Sequence, residues 1–414
     1  MAAVGTPSRF LPWLVVGFGF LVLALSYSGR ATLGLVMPTV EQDMGWSRTF
    51  LSGTAAASLI VMAVLAPLAG VLVDRHGPRM ALIVGTFIIG VGSLVVAVSD
   101  SRLGFVLTFG GVAAIGHGVA AYHVVSTAVA QLFSKNLGLA TGIATSGSTA
   151  GQFLIVPLIA SVLVVYGWRW SFVVVGIACL VLVPVLWRLL PRHGPRAVVA
   201  RGKVGGRSRL SADLRHVLRR PAFHVLFWSF FICGYTTTGI IETHLLPFAA
   251  FCGFGPVPSA SAYGILSAVN MVGMILVGWL TDRMHRPLLL GLIYLLRGLT
   301  FVLLINLGAS ADYGTLILFA VLFGAVDYST VPVTASLVES HIGLHVMGLA
   351  MGLIAAGHSV GAALGAFLGG YLFDLHAQYD WVWISSIVLA VLAGLLVFTL
   401  RDRALPMEVE AVAS

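Results

Sequence analysis

The chain has 414 residues, 59% apolar and only 9% charged, with a formal net charge of +8 and a mean hydropathy of +1.01. A soluble domain carries about 25% charged residues, so a water-solvated globule is excluded. Apolar runs of about 20 residues cross a bilayer as helices, because lipid cannot satisfy an open backbone, and these runs are continuously apolar rather than alternating, which excludes a barrel.

Twelve runs read as spans, at roughly 12–38, 50–73, 80–98, 103–132, 137–165 and 168–190, then 222–250, 260–281, 287–307, 313–337, 347–373 and 381–400. The first extends far beyond the ~7–15-residue core of a signal peptide, so it reads as a retained helix. The 48 glycines would weaken soluble helices, but in lipid they let helices approach closely. Cys179, Cys233 and Cys252 show neither metal spacing nor a disulfide framework. No phosphate loop, metal cluster or nucleophile motif interrupts the loops, so neither a cofactor nor an enzyme activity is expected.

The second span ends on a charged turn, from Gly70 through Leu72, Asp74, Arg75, Gly77 and Pro78 to Arg79. The eighth ends on Gly278, Leu280, Asp282, Arg283 and Arg286, with the same Gly-x-Leu-x-Asp-Arg order. The fifth span carries Gly138, Gly142, Gly147 and Gly151, and the eleventh carries Gly348, Gly352, Gly357, Gly361 and Gly365. A six-span unit is therefore written twice: an all-α membrane protein with six spans in 1–190, a basic linker at 191–221, and six more in 222–414 with a short tail. Bundles of this kind bind solute near the midplane, between the halves.

The linker holds Arg192, Arg196, Arg201, Lys203, Arg207, Arg209, Arg215, Arg219 and Arg220 against a single Asp213. Cationic loops stay cytoplasmic, which puts the linker, both hinges, Lys135 and both termini on that side of a cell membrane. The linker reads as a topology signal touching anionic lipid rather than as a nucleic-acid site. Residues 210–220 read as a short interfacial helix capped by Ser211.

The hinge from Gly70 to Arg79, with its reduced copy at Gly278 to Arg286, resembles the loop motif between the second and third helices of the major facilitator superfamily. The stretch from Phe133 through Lys135, Gly138, Leu139 and Gly142 to Ala144 is similar to the fifth-helix signature of its monocarboxylate and oxalate–formate transporter branch. The resemblance covers roughly residues 10–400 and implies twelve helices in two pseudo-symmetric halves, with alternating access by rocking. Animal monocarboxylate carriers open the first helix on an acidic and aromatic motif, which is absent here. They also place a carboxylate and an arginine in the eighth helix, where this chain has Asn270 and Met274. The family's first-helix lysine is replaced by Arg30. The family tends to use a fourth-helix aromatic, here Tyr122, and oxalate–formate carriers place a lysine in the eleventh helix, where this chain has His358.

Ionisable groups deep in a span cost about 2.5–3.5 kcal/mol on insertion scales and are functional candidates by default. Glu242, Asp327, Arg30 and Arg297 qualify, with histidines that include His117 and His358. Arg297 and Asp327 read as a buried ion pair, or as a cation beside a proton-carrying Asp327. Arg30 either faces the cavity, where its fork can hold a carboxylate by two hydrogen bonds, or snorkels to the interface. Glu242 shares a helix face with Tyr235, seven residues away, and either carries a proton or sits idle at the outer mouth. His117, Tyr122, Asn270 and His358 read as cavity residues or as ordinary packing. Asp74 meets the partial positive charge at the start of the next helix, and Arg75 and Arg79 pair across the mouth, with Asp282 and Arg283 at the second hinge.

The expected function is secondary transport of a small organic anion, a monocarboxylate in the first instance, with proton symport ahead of exchange. The rival is a drug–proton antiporter of the same fold that exports an apolar or cationic solute. The expected partners are the solute, protons and membrane lipid, and the expected state is a monomer.

Overall fold

A computed structural model describes residues 11–190 and 210–403. Most of the basic linker, including Ser208 and every linker cation from Arg192 to Arg209, lies outside the described residues, as does the tail beyond Arg403. Among the described residues, twelve helices are long and apolar enough to cross a membrane: Pro12–Met44, Gly53–His76, Pro78–Ala97, Arg102–Ala130, Leu137–Tyr166, Trp168–Leu189, Pro221–Phe251, Pro258–Thr281, Arg286–Gly308, Tyr313–His341, Leu344–His376 and Asp380–Phe398. They are called the first to twelfth spans here.

Six crossings separate the two charged turns, so both lie on one side of the bundle, called the hinge side. The packing is asymmetric about the midplane. One apolar core on the hinge side takes residues from both halves, including Val73, Ala140, Met274 and Met351. Towards the far side the core divides. One cluster, with Trp46, Phe105 and Phe172, belongs wholly to spans one to six and their far-side turn. Another, with Phe248, Phe301, Phe319 and Trp383, belongs wholly to spans seven to twelve. The halves are fused on the hinge side and stand as separate lobes beyond it.

Glycines make the fused seam. A Cβ at Gly348 would run into the Gly70 carbonyl, and one at Gly352 into that of Ala66. The second crossing repeats this, with Gly138 against the Gly278 carbonyl and Gly142 against that of Met274. These are backbone-to-backbone crossings that only small residues permit. In the far halves of the first, second and eighth spans, Gly34, Gly53 and Gly264 have nothing within 4 Å of where a Cβ would stand.

Two spans break at equivalent places. The fourth span interrupts at Ala120 and Ala121 and restarts as the half-helix Tyr122–Ala130. The tenth ends its first half at Val326 and restarts at Thr330. Pro332 accounts for the second break, because it offers no N–H to Tyr328, four residues earlier, and its ring crowds that carbonyl. The restarted helix runs to His341 and buries Glu339 at 1% exposure, whereas the sequence places Glu339 beyond the end of the span.

The seventh span holds a π-helical stretch, Tyr235–Ile241. A π turn takes more residues than an α turn, so residues seven apart no longer share a face. Tyr235 hydrogen-bonds to Ser385 at 3.1 Å, in the twelfth span, while Glu242 meets Tyr328 in the tenth. The shared face expected for Tyr235 and Glu242 is thereby corrected. Leu210 is already helical in the linker helix, Leu210–Leu218, so Ser211 lies within that helix rather than capping it. Val217 enters the hinge-side core, and His216 bonds the Ile342 carbonyl at 3.0 Å. Leu210, Leu214 and Leu218 form an exposed stripe at four-residue spacing.

Candidate functional site

The hinge carboxylates do not cap their own following helices. Asp74 accepts hydrogen bonds from the backbone N–H groups of Gly348 at 2.9 Å and Leu349 at 2.8 Å, at the start of the eleventh span. Asp282 does the same for Gly138 at 2.8 Å and Leu139 at 2.9 Å, at the start of the fifth. The partial positive charge of a helix start is used as expected, but the helix belongs to the opposite half. The third span opens on Pro78, which has no N–H to offer. Burial pushes the Asp282 carboxyl up from its ordinary value, and the bonds from Leu139 and Gly138, then Arg283 and Arg286, pull it part of the way back.

The hinge arginines are corrected too. Arg79 donates to the Trp187 carbonyl and lies 4.9 Å over the Trp187 ring, in its own half. Arg283 turns back on Trp279, donating to its carbonyl at 3.1 Å and lying 4.1 Å over its ring. Arg75 is exposed and makes no ion pair among the described residues. The halves are bridged here by the aspartates. Gly77, at φ +85°, ends the second helix and opens the third.

A cavity of about 520 Å³ of atom-free space, partly open to solvent, lies at the midplane between the halves. The first, second and fourth spans line one wall, and the seventh, tenth and eleventh line the other. Arg30, Tyr122 and His358 meet there, together with Tyr27, His123 and Tyr328. The Arg30 guanidinium lies 4.9 Å over the Tyr27 ring. The Tyr122 ring is 6.4 Å from the His358 ring, and Phe230 backs both, at 5.9 and 5.2 Å. The Tyr122 hydroxyl and His358 Nε2 have no hydrogen-bond partner among the described residues. Buried polar atoms are rarely left unpaired, and these, with both His123 nitrogens, belong to residues that line one cavity, which suits a polar ligand. The half-helix Tyr122–Ala130 starts at this cavity with no side chain capping its first N–H groups.

Two expected cavity residues lie elsewhere. His117 pairs with the Ser26 hydroxyl at 3.1 Å and packs on Gly29, so it fastens the fourth span to the first. Asn270 lies behind the tenth-span break: its Nδ2 donates to Asp327 Oδ2 at 3.0 Å, and its Oδ1 accepts from the Tyr328 N–H at 3.3 Å. A place in a small-residue span, or on a polar helix face, does not say which neighbour a side chain meets.

The side-chain ion pair expected between Arg297 and Asp327 is replaced by a different arrangement. Arg297 donates to the carbonyl of Val326 at 2.8 Å and to that of Asp327, and its other nitrogen reaches Cys233 Sγ at 3.0 Å and the Thr236 hydroxyl at 3.4 Å. The guanidinium therefore satisfies the carbonyls freed where the helix stops, while Asn270 holds the Asp327 carboxylate. Glu242 accepts a hydrogen bond from the cavity-lining Tyr328 at 2.7 Å, and Tyr328 also pairs with Thr238 at 3.1 Å. Sequence reasoning missed Tyr328 because it weighed charge within the spans, and a tyrosine beside an aspartate adds none.

Comparison with known proteins places these features. The family model described as Major Facilitator Superfamily matches residues 19–348 and again 285–413. The chain is 26% identical to the uncharacterized MFS-type transporter YcxA of Bacillus subtilis (strain 168), covering 80% of this chain and 81% of that one. It is 27% identical to monocarboxylate transporter 11 of Homo sapiens, over 69% of this chain and 59% of that protein. It is 25% identical to the gallate transporter of Pseudomonas putida, over 76% and 75%. In fold it matches the proton:xylose symporter XylE with a TM-score of 0.75 at 16% identity, covering 95% of this chain and 96% of that one. Twelve spans, a duplicated hinge and these matches together establish that the chain belongs to the major facilitator superfamily, as a multi-pass membrane transporter and not an enzyme.

Proposed function

We propose that the protein carries a small organic anion, a monocarboxylate, across the cell membrane by alternating access coupled to protons. One observation carries this reading: Arg30 and the uncapped start of the Tyr122–Ala130 half-helix face the same midplane cavity. Interrupted helices that point their positive ends at anionic groups are a recurring device of membrane carriers, and the Arg30 fork matches a carboxylate. The names of two relatives, a monocarboxylate transporter and a gallate transporter, support the same class. Tyr122 and His358 supply the polar contacts that orient the solute.

Glu242 is the better proton acceptor of the two candidate acids. It is half-buried and one hydrogen bond from a cavity-lining side chain, whereas Asp327 is 4% exposed and held by Asn270. The hinge side is cytoplasmic, as are both termini, and the leucine stripe of the linker helix rests on lipid. The carrier works as a monomer.

The test is uptake of labelled lactate, pyruvate and gallate into proteoliposomes, with and without a pH gradient. Arg30→Gln is expected to raise the apparent KM for the transported acid roughly tenfold to a hundredfold, the scale of a lost charge-assisted bond of about 1.5–3 kcal/mol. An unchanged KM would rule this pocket out. A second reading is export of an apolar or cationic solute in exchange for protons. It is favoured by the apolar share of the lining, including Leu59, Met62 and Ala66, and by Glu242 behind Tyr328. Uptake that ignores all three acids while a lipophilic cation is extruded would select it.

A further inference from the structure

We infer that Tyr328 transmits the protonation state of Glu242 to the bound anion: a proton on Glu242 reverses their hydrogen bond and frees the Tyr328 hydroxyl to donate into the cavity. This deepens the proton-coupled anion reading above and rests on it.

The geometry is that of a three-oxygen chain. Glu242 Oε1 lies 2.7 Å from the Tyr328 hydroxyl, which lies 3.1 Å from the Thr238 hydroxyl. Both Tyr328 and Thr238 line the cavity, and Glu242 stands behind them. A phenol has one proton to give, and an ionised carboxylate can only accept. With Glu242 ionised, the Tyr328 proton is therefore committed to Glu242, and the Thr238 hydroxyl can donate to the phenol oxygen. The cavity then meets a phenol oxygen with no proton to offer an anion. With Glu242 protonated, the carboxyl O–H donates to the phenol oxygen instead. The Tyr328 O–H turns outward and can donate to a carboxylate lying between it and Arg30. The proton comes from water, sits on Glu242 and returns to water when it dissociates. Tyr328 keeps its own proton throughout, and only hydroxyl hydrogens rotate.

The fold holds the ring in place for this. Tyr328 sits in the tenth-span break with its backbone N–H on Asn270 Oδ1 at 3.3 Å. Glu242 acts electrostatically on Tyr27 of the first span, Tyr263 of the eighth, Asp327 and Tyr328 of the tenth, and His358 of the eleventh. Arg30 acts on Tyr27 and His358 as well. On its own span, His244 is turned away, onto the Ala366 carbonyl at 3.0 Å. His358 and His123, both in the cavity lining, are the other titratable groups whose protonation could mimic the effect, and the test must separate them.

The experiment has two arms. In the first, benzoate, lactate and pyruvate binding to the purified carrier is measured by titration calorimetry across a pH series. Wild type should bind more tightly as pH falls. Glu242→Gln should bind with one affinity at every pH, since its amide can donate to the phenol and no charge is left to titrate. Tyr328→Phe should bind about tenfold more weakly than wild type at acid pH and equally at high pH, the scale of a hydrogen bond to a charged group. Tyr328→Phe that keeps the full pH dependence would overturn the inference, because charge removal alone would then explain the coupling. Glu242→Gln that stays pH-dependent would also overturn it and move the titration to His358 or His123. The second arm needs no ligand. Infrared difference spectra across the same pH series should show a protonated-carboxyl carbonyl band that is lost in Glu242→Gln and shifted in Tyr328→Phe. A band unmoved by Tyr328→Phe would overturn the inference. If wild type binds none of the three acids, the anion reading fails, and the infrared arm still decides the bond reversal.

Discussion

Replacing both hinge carboxylates, Asp74→Asn with Asp282→Asn, should open the hinge side of the carrier and cripple transport while leaving membrane insertion intact. Each carboxylate accepts two backbone N–H bonds of 2.8–2.9 Å at the start of a helix in the opposite half. Asparagine keeps one acceptor oxygen but presents an NH₂ group to the other N–H and removes the charge that the helix start favours. A hydrogen bond to a charged group is worth about 1.5–3 kcal/mol, and a loss of about 3 kcal/mol moves a two-state equilibrium roughly a hundredfold. Spin labels on the hinge-side ends of the second and eleventh spans should report longer distances in the double variant, with each single variant in between. A well-expressed double variant with wild-type distances and wild-type turnover would remove the aspartates from the closing mechanism.

The second large effect is on stability. Arg297→Met should cost about 3–5 kcal/mol, the range for stripping one partner from a buried charged network, and should be read as lost folded yield and early thermal unfolding in detergent. Arg297 is 0% exposed and holds the Val326 and Asp327 carbonyls at the tenth-span break. Methionine keeps much of the packing against Tyr294 and Phe323 but leaves both carbonyls without a donor at membrane depth. The design includes a discriminating control. If the two side chains formed a direct ion pair, neutralising the acid would relieve Arg297→Met. Because the guanidinium is spent on backbone carbonyls, Asp327→Asn alone should cost only about 1 kcal/mol and should not rescue the double variant. Rescue would restore the simple ion pair.

The sequence made some features plain and hid others for identifiable reasons. Twelve spans, the duplication and the paired glycine stretches are local patterns, and each appears in the fold where its pattern lies. The partners of the hinge aspartates were hidden because they are long-range: Asp74 bonds a helix start more than two hundred and seventy residues away. A favourable helix start was foreseen, but proximity in sequence pointed to the third span. Asn270, on a polar face of the eighth span, and His117, in a small-residue stretch of the fourth, could each meet either a cavity or another helix, and sequence position does not choose between them. The π-helical stretch at Tyr235–Ile241 defeated the seven-residue spacing rule for Glu242. Pro332 was visible throughout, and reading its missing N–H back to Tyr328 would have located the tenth-span break and with it the residue most worth watching.

The exchanged hinges have a mechanical corollary. Two rigid bodies joined at one point can still tumble about it in any direction; joined at two, they retain a single rotation, about the line through both joints. In the alternating access proposed above, Asp74 fastened to the eleventh helix and Asp282 to the fifth would confine the lobes to swinging about that line, which widens or narrows the opposite mouth without shear. On that proposal the carrier would breathe around its cargo on one face of the membrane and present it to the other only once both fastenings let go.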